Sequence, residues 1–205
     1  MKAIIFDLWG TLAYTEPFIG EVIEKINELI NEKEVFTKLR RNWYTEYLTT
    51  EGFFEKLAKE IKLDEKTRIR VIEIWDSQIK NARLYPETIE TLEELKTKNI
   101  KLILISNTTP IGEQKVKKLQ IEKYFDLILY SFREGITKPH KKIFEIVLEK
   151  LKLNPDDIFI IGDQLDTDKK GADSINAKFI LIDRNNKYDF KPKIQSLKEI
   201  QKYIN

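Results

Sequence analysis

Five short apolar runs constrain this chain more than any other feature. They are Ala3 to Phe6, Lys101 to Ile105, Asp126 to Tyr130, Ile158 to Ile161 and Lys178 to Ile182, all rich in β-branched and aromatic residues. A strand with one face in water alternates polar with apolar residues, and these do not. Runs of this kind are strands buried on both faces, as in parallel sheets. Helical spacing recurs between them: Ile89, Leu92 and Leu95 in one segment, Ile143, Ile146, Val147 and Leu151 in another. Strand and helix therefore alternate from about residue 86 to 184, which predicts an α/β fold with a parallel sheet and right-handed crossovers. Ligands of such sheets bind beyond the carboxyl ends of the strands. Asp7, Ser106 and Asp163 fall at those ends.

Residues 14–85 break the rhythm. Ile23, Ile26, Leu29 and Ile30, then Phe36, Leu39, Trp43 and Tyr47, repeat at helical spacing throughout. Pro17 suits a helix start, Gly52 a break between helices and Pro86 a stop. The expectation is an all-helical insert over 14–85, with 1–13 and 86–205 forming the sheet-bearing core. The aromatic residues of the insert are read as its own core rather than a binding surface.

Composition then removes whole classes of chemistry. The 205 residues carry 36 Lys plus Arg against 34 Asp plus Glu, a net of +2, which gives no support for a dedicated nucleic-acid or anionic-membrane binder. With no cysteine and a single histidine, His140, thiolate nucleophiles, disulfides and multi-histidine zinc sites are excluded. Any metal must be a hard cation on carboxylates and carbonyls. No apolar run is long enough for a transmembrane span and no signal-peptide pattern is present, so a cytoplasmic protein is expected. His140 reads as a surface residue at a helix start. Arg40 and Arg41 read as solvent-facing, with one able to reach an anionic substrate. Lys115, Lys117 and Lys118 read as an ordinary charged helix face.

Four constellations occur in order at or near the ends of the apolar runs: Asp7-Leu8-Trp9-Gly10-Thr11, Ser106-Asn107-Thr108, Lys138-Pro139 and Gly162-Asp163-Gln164-Leu165-Asp166-Thr167-Asp168. In that order the chain resembles the haloacid-dehalogenase-like (HAD) superfamily of hydrolases, over residues 1–13 and 86–184. The resemblance implies a Rossmann-like core and makes the helical insert an α-helical cap placed after the first motif. It also implies Asp7 as the nucleophile, with Ser106 and Lys138 as further catalytic residues. Ser106, Asn107 and Lys138 would contact phosphate. Mg²⁺ would be held by Asp7, Asp163, Asp168 and the backbone carbonyl of Trp9.

The physical logic is consistent with these roles. A carboxylate can attack phosphorus and divide one displacement into two easier ones. An anion attacking a phosphate needs its charge offset, by a divalent cation and by Lys138, with a hydrogen bond from Ser106. One position departs from the pattern. Phosphatases of the superfamily usually carry a second Asp two residues after the nucleophile, to donate a proton to the leaving group. Here that residue is Trp9. The dehalogenase branch has an aromatic residue there, but lacks the acidic fourth motif that this chain keeps. Three readings follow: a Mg²⁺-dependent phosphatase of small phosphorylated metabolites, a 2-haloacid dehalogenase-like hydrolase, and a non-catalytic phosphate- or nucleotide-binding regulator.

Overall fold

The computed structural model describes residues 2–204, the side chain of Ile79 excepted. Six strands form one parallel sheet: β1 (Ala3–Phe6), β4 (Lys101–Ser106), β5 (Leu127–Tyr130), β6 (Ile158–Gly162), β7 (Lys178–Ile182) and β8 (Lys193–Ile194). Their order across the sheet is β5-β4-β1-β6-β7-β8. β1 is central, with Ile5 opposite Ile103 on one side and Ile160 on the other. From β1 the chain winds outward through β4 to β5, then crosses back to β6 and continues to the opposite edge. This reversal opens a crevice at the carboxyl ends of β1 and β6, the topological switch point where doubly wound sheets bind ligands.

Alternate residues of each strand feed two separate hydrophobic layers, which is why the runs need no polar alternation. Ile4, Phe6, Leu102 and Leu104 pack with Leu92 and Leu95 of α5 (Thr88–Thr97) and with Leu197 and Ile200. Ala3, Ile5, Ile103 and Ile105 pack on the other face with Ile143, Phe144 and Val147 of α8 (Lys141–Leu151). Burying one such aliphatic side chain contributes about 1.5–3 kcal/mol, so the sheet anchors the molecule.

The insert comprises α1 (Ile19–Ile30), α2 (Lys33–Trp43), α3 (Thr50–Ile61) and α4 (Glu65–Asn81). Most of its aromatics are core, as their spacing predicts: the Trp43 and Phe53 rings stack with centroids 3.9 Å apart, beside Phe36, Phe54 and Trp75. Tyr47 departs from that expectation: α2 ends at Trp43, and Tyr47 beyond it is 65% exposed. The insert joins the sheet through an antiparallel ribbon of β2 (Ala13–Thr15) and β3 (Ala82–Leu84), with Ala13 opposite Leu84. It also packs on α6 (Pro110–Lys118), whose Ile111 enters its core.

Some sequence expectations give way here. The ribbon and the two-residue β8 are too short for periodicity to show. Gly52 does not separate helices. It lies in the first turn of α3, where its N–H donates to the capping Thr49 Oγ1 at 3.1 Å, and the break falls earlier, between Trp43 and Thr50. α4 stops at Asn81, before Pro86, because the chain turns there into β3. His140 is the exposed N-cap of α8, as expected, its Nδ1 accepting from Lys142 N. No helix among the described residues is long and apolar enough to cross a membrane.

Candidate active site

Asp7 follows the last residue of β1 and is held in the sheet by its N–H, which donates to Ile161 O at 2.9 Å. The chain then turns tightly, with Leu12 N and Ala13 N both donating to Leu8 O. Gly10 makes the turn possible. Its φ is +81°, and a Cβ there would collide with the Asp163 carboxylate. Sequence reasoning missed what clamps this turn. Arg184, two residues beyond β7, donates to Gly10 O at 3.2 Å and Thr11 O at 2.7 Å, pairs with Glu87 at 2.8 Å and lies over the Tyr85 ring. An arginine just beyond a strand end was the available signal.

The fourth motif leaves β6 at Gly162 and enters a wide turn in which Asp168 N and Lys169 N both donate to Gln164 O. Wide turns of this kind recur at functional sites. This one folds Asp168 back toward Asp163, and a Cβ on Gly162 would collide with the Asp168 carboxylate. Asp168 is only 1% exposed. Lys138 reaches in from the loop before α8 and donates to Asp7 Oδ1 and Asp168 Oδ1, each at 2.6 Å. Asn107 fixes that loop: its Oδ1 accepts from Lys138 N at 2.8 Å and its Nδ2 donates to Lys138 O at 2.9 Å. The Oδ1 and one N–H of the amide thus hold Lys138 in place, and Asn107 also lines the cavity into which the crevice widens. Ser106 ends β4 fully buried, its Oγ without a partner among the described residues.

Carboxylate oxygens of Asp7, Asp163 and Asp168 lie within 4.8 Å of one another, and the one ammonium joined to them is that of Lys138. Such crowding has electrostatic consequences. Burial, together with the nearby Asp7 and Asp168 carboxylates, pushes the Asp163 carboxyl up to about 8. Burial likewise pushes Asp7 up to about 6, against the pull of Lys138. Burial alone would lower the Lys138 ammonium, but Asp168 and Asp7 outweigh it and hold it above the ordinary lysine range. Asp163 Oδ1 is buried with no hydrogen-bond partner among the described residues. Three carboxylates against one ammonium, one of them carrying an orphaned oxygen, fit a hard divalent cation such as Mg²⁺.

A family model for haloacid dehalogenase-like hydrolases matches residues 1–176. The chain belongs to that family. The hydrolase is 25% identical to the glyceraldehyde 3-phosphate phosphatase of Methanopyrus kandleri, over 94% of this chain and 88% of that one. Two solved structures share its fold. The 2-haloacid dehalogenase of Pseudomonas syringae has a TM-score of 0.74 at 19% identity, covering 98% and 97% of the two chains. A HAD family enzyme of Bacteroides thetaiotaomicron, in complex with magnesium and inorganic phosphate, has a TM-score of 0.73 at 20% identity, covering 92% and 98%.

In the hydrolase the crevice widens into a cavity of about 400 Å³, lined from the sheet ends by Asp163 and from the insert by Tyr44, Trp75 and Gln78. Trp9 lines it, offering a ring where a carboxylic acid would offer a proton. Lys115 corrects an expectation. It is no part of a solvated helix face, since α6 packs against α4 and leaves Lys115 4% exposed at the cavity wall. Its Nζ donates to Gln78 Oε1 at 3.1 Å and sits 4.9 Å from the Trp9 ring centroid. Burial pulls its ammonium down to about 7. Lys117, by contrast, is exposed and paired with Glu113, as befits a charged helix face. Arg40 donates to Tyr44 Oη at 2.7 Å, and Tyr44 lines the same cavity.

Proposed function

We propose that the hydrolase is a Mg²⁺-dependent phosphatase of small phosphorylated metabolites that works through an aspartyl-phosphate on Asp7. The observation that carries this reading is the buried group of Asp7, Asp163 and Asp168 around Lys138 at the switch point of the sheet. The phosphatase named among its relatives supports it, and the dehalogenase-like and non-catalytic readings are not favoured. Asp7, Asp163, Asp168 and the Trp9 carbonyl would hold Mg²⁺, which when bound offsets the charge that builds as one anion approaches another.

An Asp7 carboxylate oxygen attacks phosphorus, forming the acyl-phosphate bond as the bond to the leaving oxygen breaks. Lys138 holds Asp7 in place and adds positive charge beside the transferred group. The Ser106 hydroxyl donates to a phosphoryl oxygen, which gives its orphaned Oγ a partner. The leaving oxygen takes its proton from water, because Trp9 has none to give. Water then cleaves the acyl-phosphate and returns Asp7 with inorganic phosphate. General acid help contributes about 10²–10⁴-fold where present, so the enzyme favours leaving groups that depart without it. The helical insert acts as the cap that selects substrate, and the setting is the cytoplasm.

A panel of phosphomonoesters and 2-haloacids, assayed with and without Mg²⁺, tests the reading. Phosphate release that depends on Mg²⁺, with no halide release, is expected. Halide release without metal would replace the reading with the dehalogenase one. Stabilisation by phosphate compounds with no turnover would replace it with the regulator.

A further inference from the structure

Where α4 of the insert packs on α6, the cavity wall carries a set of groups that phosphoryl transfer at Asp7 does not use. Lys115, Gln78 and Trp75 all line it, and they are 4%, 1% and 2% exposed. Lys115 forms no ion pair with a carboxylate among the described residues; its Nζ donates to Gln78 Oε1, a neutral acceptor. That bond leaves Gln78 with only its amide N–H groups to offer, and Gln78 Nε2 has no partner among the described residues. Trp75 Nε1, which can only donate, has none either. Three buried donors, one of them cationic, thus line one cavity, and two of them have no acceptor among the described residues. Burying polar groups unsatisfied is costly, and a fold keeps them where a ligand completes them.

The two ends of the cavity differ in sign. The sheet contributes Asp163, where a phosphoryl group and its metal would sit, and the insert contributes the neutral donors Gln78 and Trp75, with Lys115 of α6 beside them. Gln78 and Trp75 both lie on α4, inside the insert, whereas Lys115 lies on α6 of the sheet-bearing part. A ligand group bound among them would touch both parts of the molecule at once. We propose that Lys115, with Gln78 and Trp75, forms a subsite for a second anionic oxygen group of the substrate, so that the hydrolase prefers phosphomonoesters bearing a carboxylate or a second phosphate distal to the transferred one. The proposal rests on the phosphatase reading and adds the substrate class. It accounts for a buried lysine without a counter-ion: the substrate brings one.

Three phosphonates of matched length isolate the distal group: propylphosphonate, 3-phosphonopropionate and propane-1,3-bisphosphonate. Their binding to the full-length protein in Mg²⁺ buffer is measured by calorimetry, alongside turnover of p-nitrophenyl phosphate. One or both doubly anionic probes are expected to bind about tenfold to a hundredfold tighter than propylphosphonate, since charge-assisted hydrogen bonds are the strong ones. Which of the two gains identifies the distal group as carboxylate or phosphate. Lys115→Met is expected to reduce the preference to less than about twofold, and Trp75→Phe, which removes one donor but keeps an aromatic ring, to reduce it in part. Should Lys115→Met fail to fold, Trp75→Phe alone decides. Equal affinities for all three probes, with p-nitrophenyl phosphate still hydrolysed, would overturn the subsite and leave the phosphatase reading standing. A preference that survives in the folded variants would overturn it too. Absence of both turnover and phosphonate binding would overturn both readings together.

Discussion

The two ends of the cavity are built from opposite deficits. At the sheet end, Asp7, Asp163 and Asp168 outnumber the single ammonium of Lys138. At the insert end, Lys115 is buried with a neutral amide for a partner. Neither end is a finished ion pair. Arg184 and Glu87 show what a finished one looks like in this molecule: a 2.8 Å pair, with the rest of the guanidinium bonded to two carbonyls and stacked on Tyr85. That pair is scaffold for the first turn. The contrast separates groups that complete one another from groups that wait for a ligand, and it does so by counting partners rather than by residue type.

The largest effect expected is at Asp7. Asn keeps the shape of the side chain but is no anionic nucleophile, so Asp7→Asn should lower turnover by about 10³-fold or more while the melting temperature changes little. Most of the activity surviving in a contaminant-free preparation would move the chemistry away from the sheet end. Next comes Gly162→Ala. The added methyl meets the Asp168 carboxylate and displaces it from Lys138. Misplacement by about 1 Å costs on the order of 10²-fold in rate, and kcat should fall accordingly. Unchanged kcat would mean that Asp168 is not needed in its observed position.

How much of this was legible in the chain depends on length and on facing. The parallel sheet was legible because unalternating runs have one good interpretation. Asp7 and Asp163 were legible because each follows such a run directly. The β2–β3 ribbon was not, since three residues per strand carry no period. Lys115 was misread for a different reason. It sits with Lys117 and Lys118 in one basic stretch, and only the packing of α4 on α6 decides which lysine turns inward. Arg184 follows Asp183 at the end of β7. Its targets, Gly10 O and Thr11 O, are backbone atoms more than 170 positions away, which no local pattern encodes.

A smaller effect tests the charge excess at the sheet end. Asp163→Ala should weaken Mg²⁺ binding by at least about tenfold, since hard cations depend on carboxylate count. The pH dependence of stability gives a second view. The folded Asp163 and Asp7 carboxyls are raised to about 8 and about 6 from the ordinary aspartate value of 3.8. The folded state therefore binds more protons than the unfolded chain in that window. Without Mg²⁺, stability should fall as pH rises from about 4 through about 8, and then level off. Mg²⁺ should suppress most of this decline and Asp163→Ala should shorten it. Denaturant titrations at stepped pH, with and without chelator, measure it. A flat profile would mean that the carboxylates are not in conflict.

The smallest effect is at Lys115, and its sign is opposite. Its ammonium is pulled down to about 7 by burial, so between about 7 and 10.5 the unfolded chain holds a proton that the folded one has lost. Stability contributed at this position should rise with pH across that window, most visibly above about 8, where the sheet end has levelled off. Lys115→Met removes the buried cation and keeps a flexible apolar chain of similar length against the Trp9 ring. It also orphans Gln78 Oε1, which offsets part of the gain. The net should be a stabilisation of about 1 kcal/mol at pH 6, shrinking toward zero or below as pH approaches 10. A saturating doubly anionic phosphonate should narrow the difference by supplying to wild type the counter-ion that the variant no longer needs. If Lys115→Met is instead destabilising across the whole range, the lysine is a satisfied structural residue. The two ends of the cavity would then no longer be opposites, and the donor set on α4 and α6 would be packing rather than a place for a substrate's second charge.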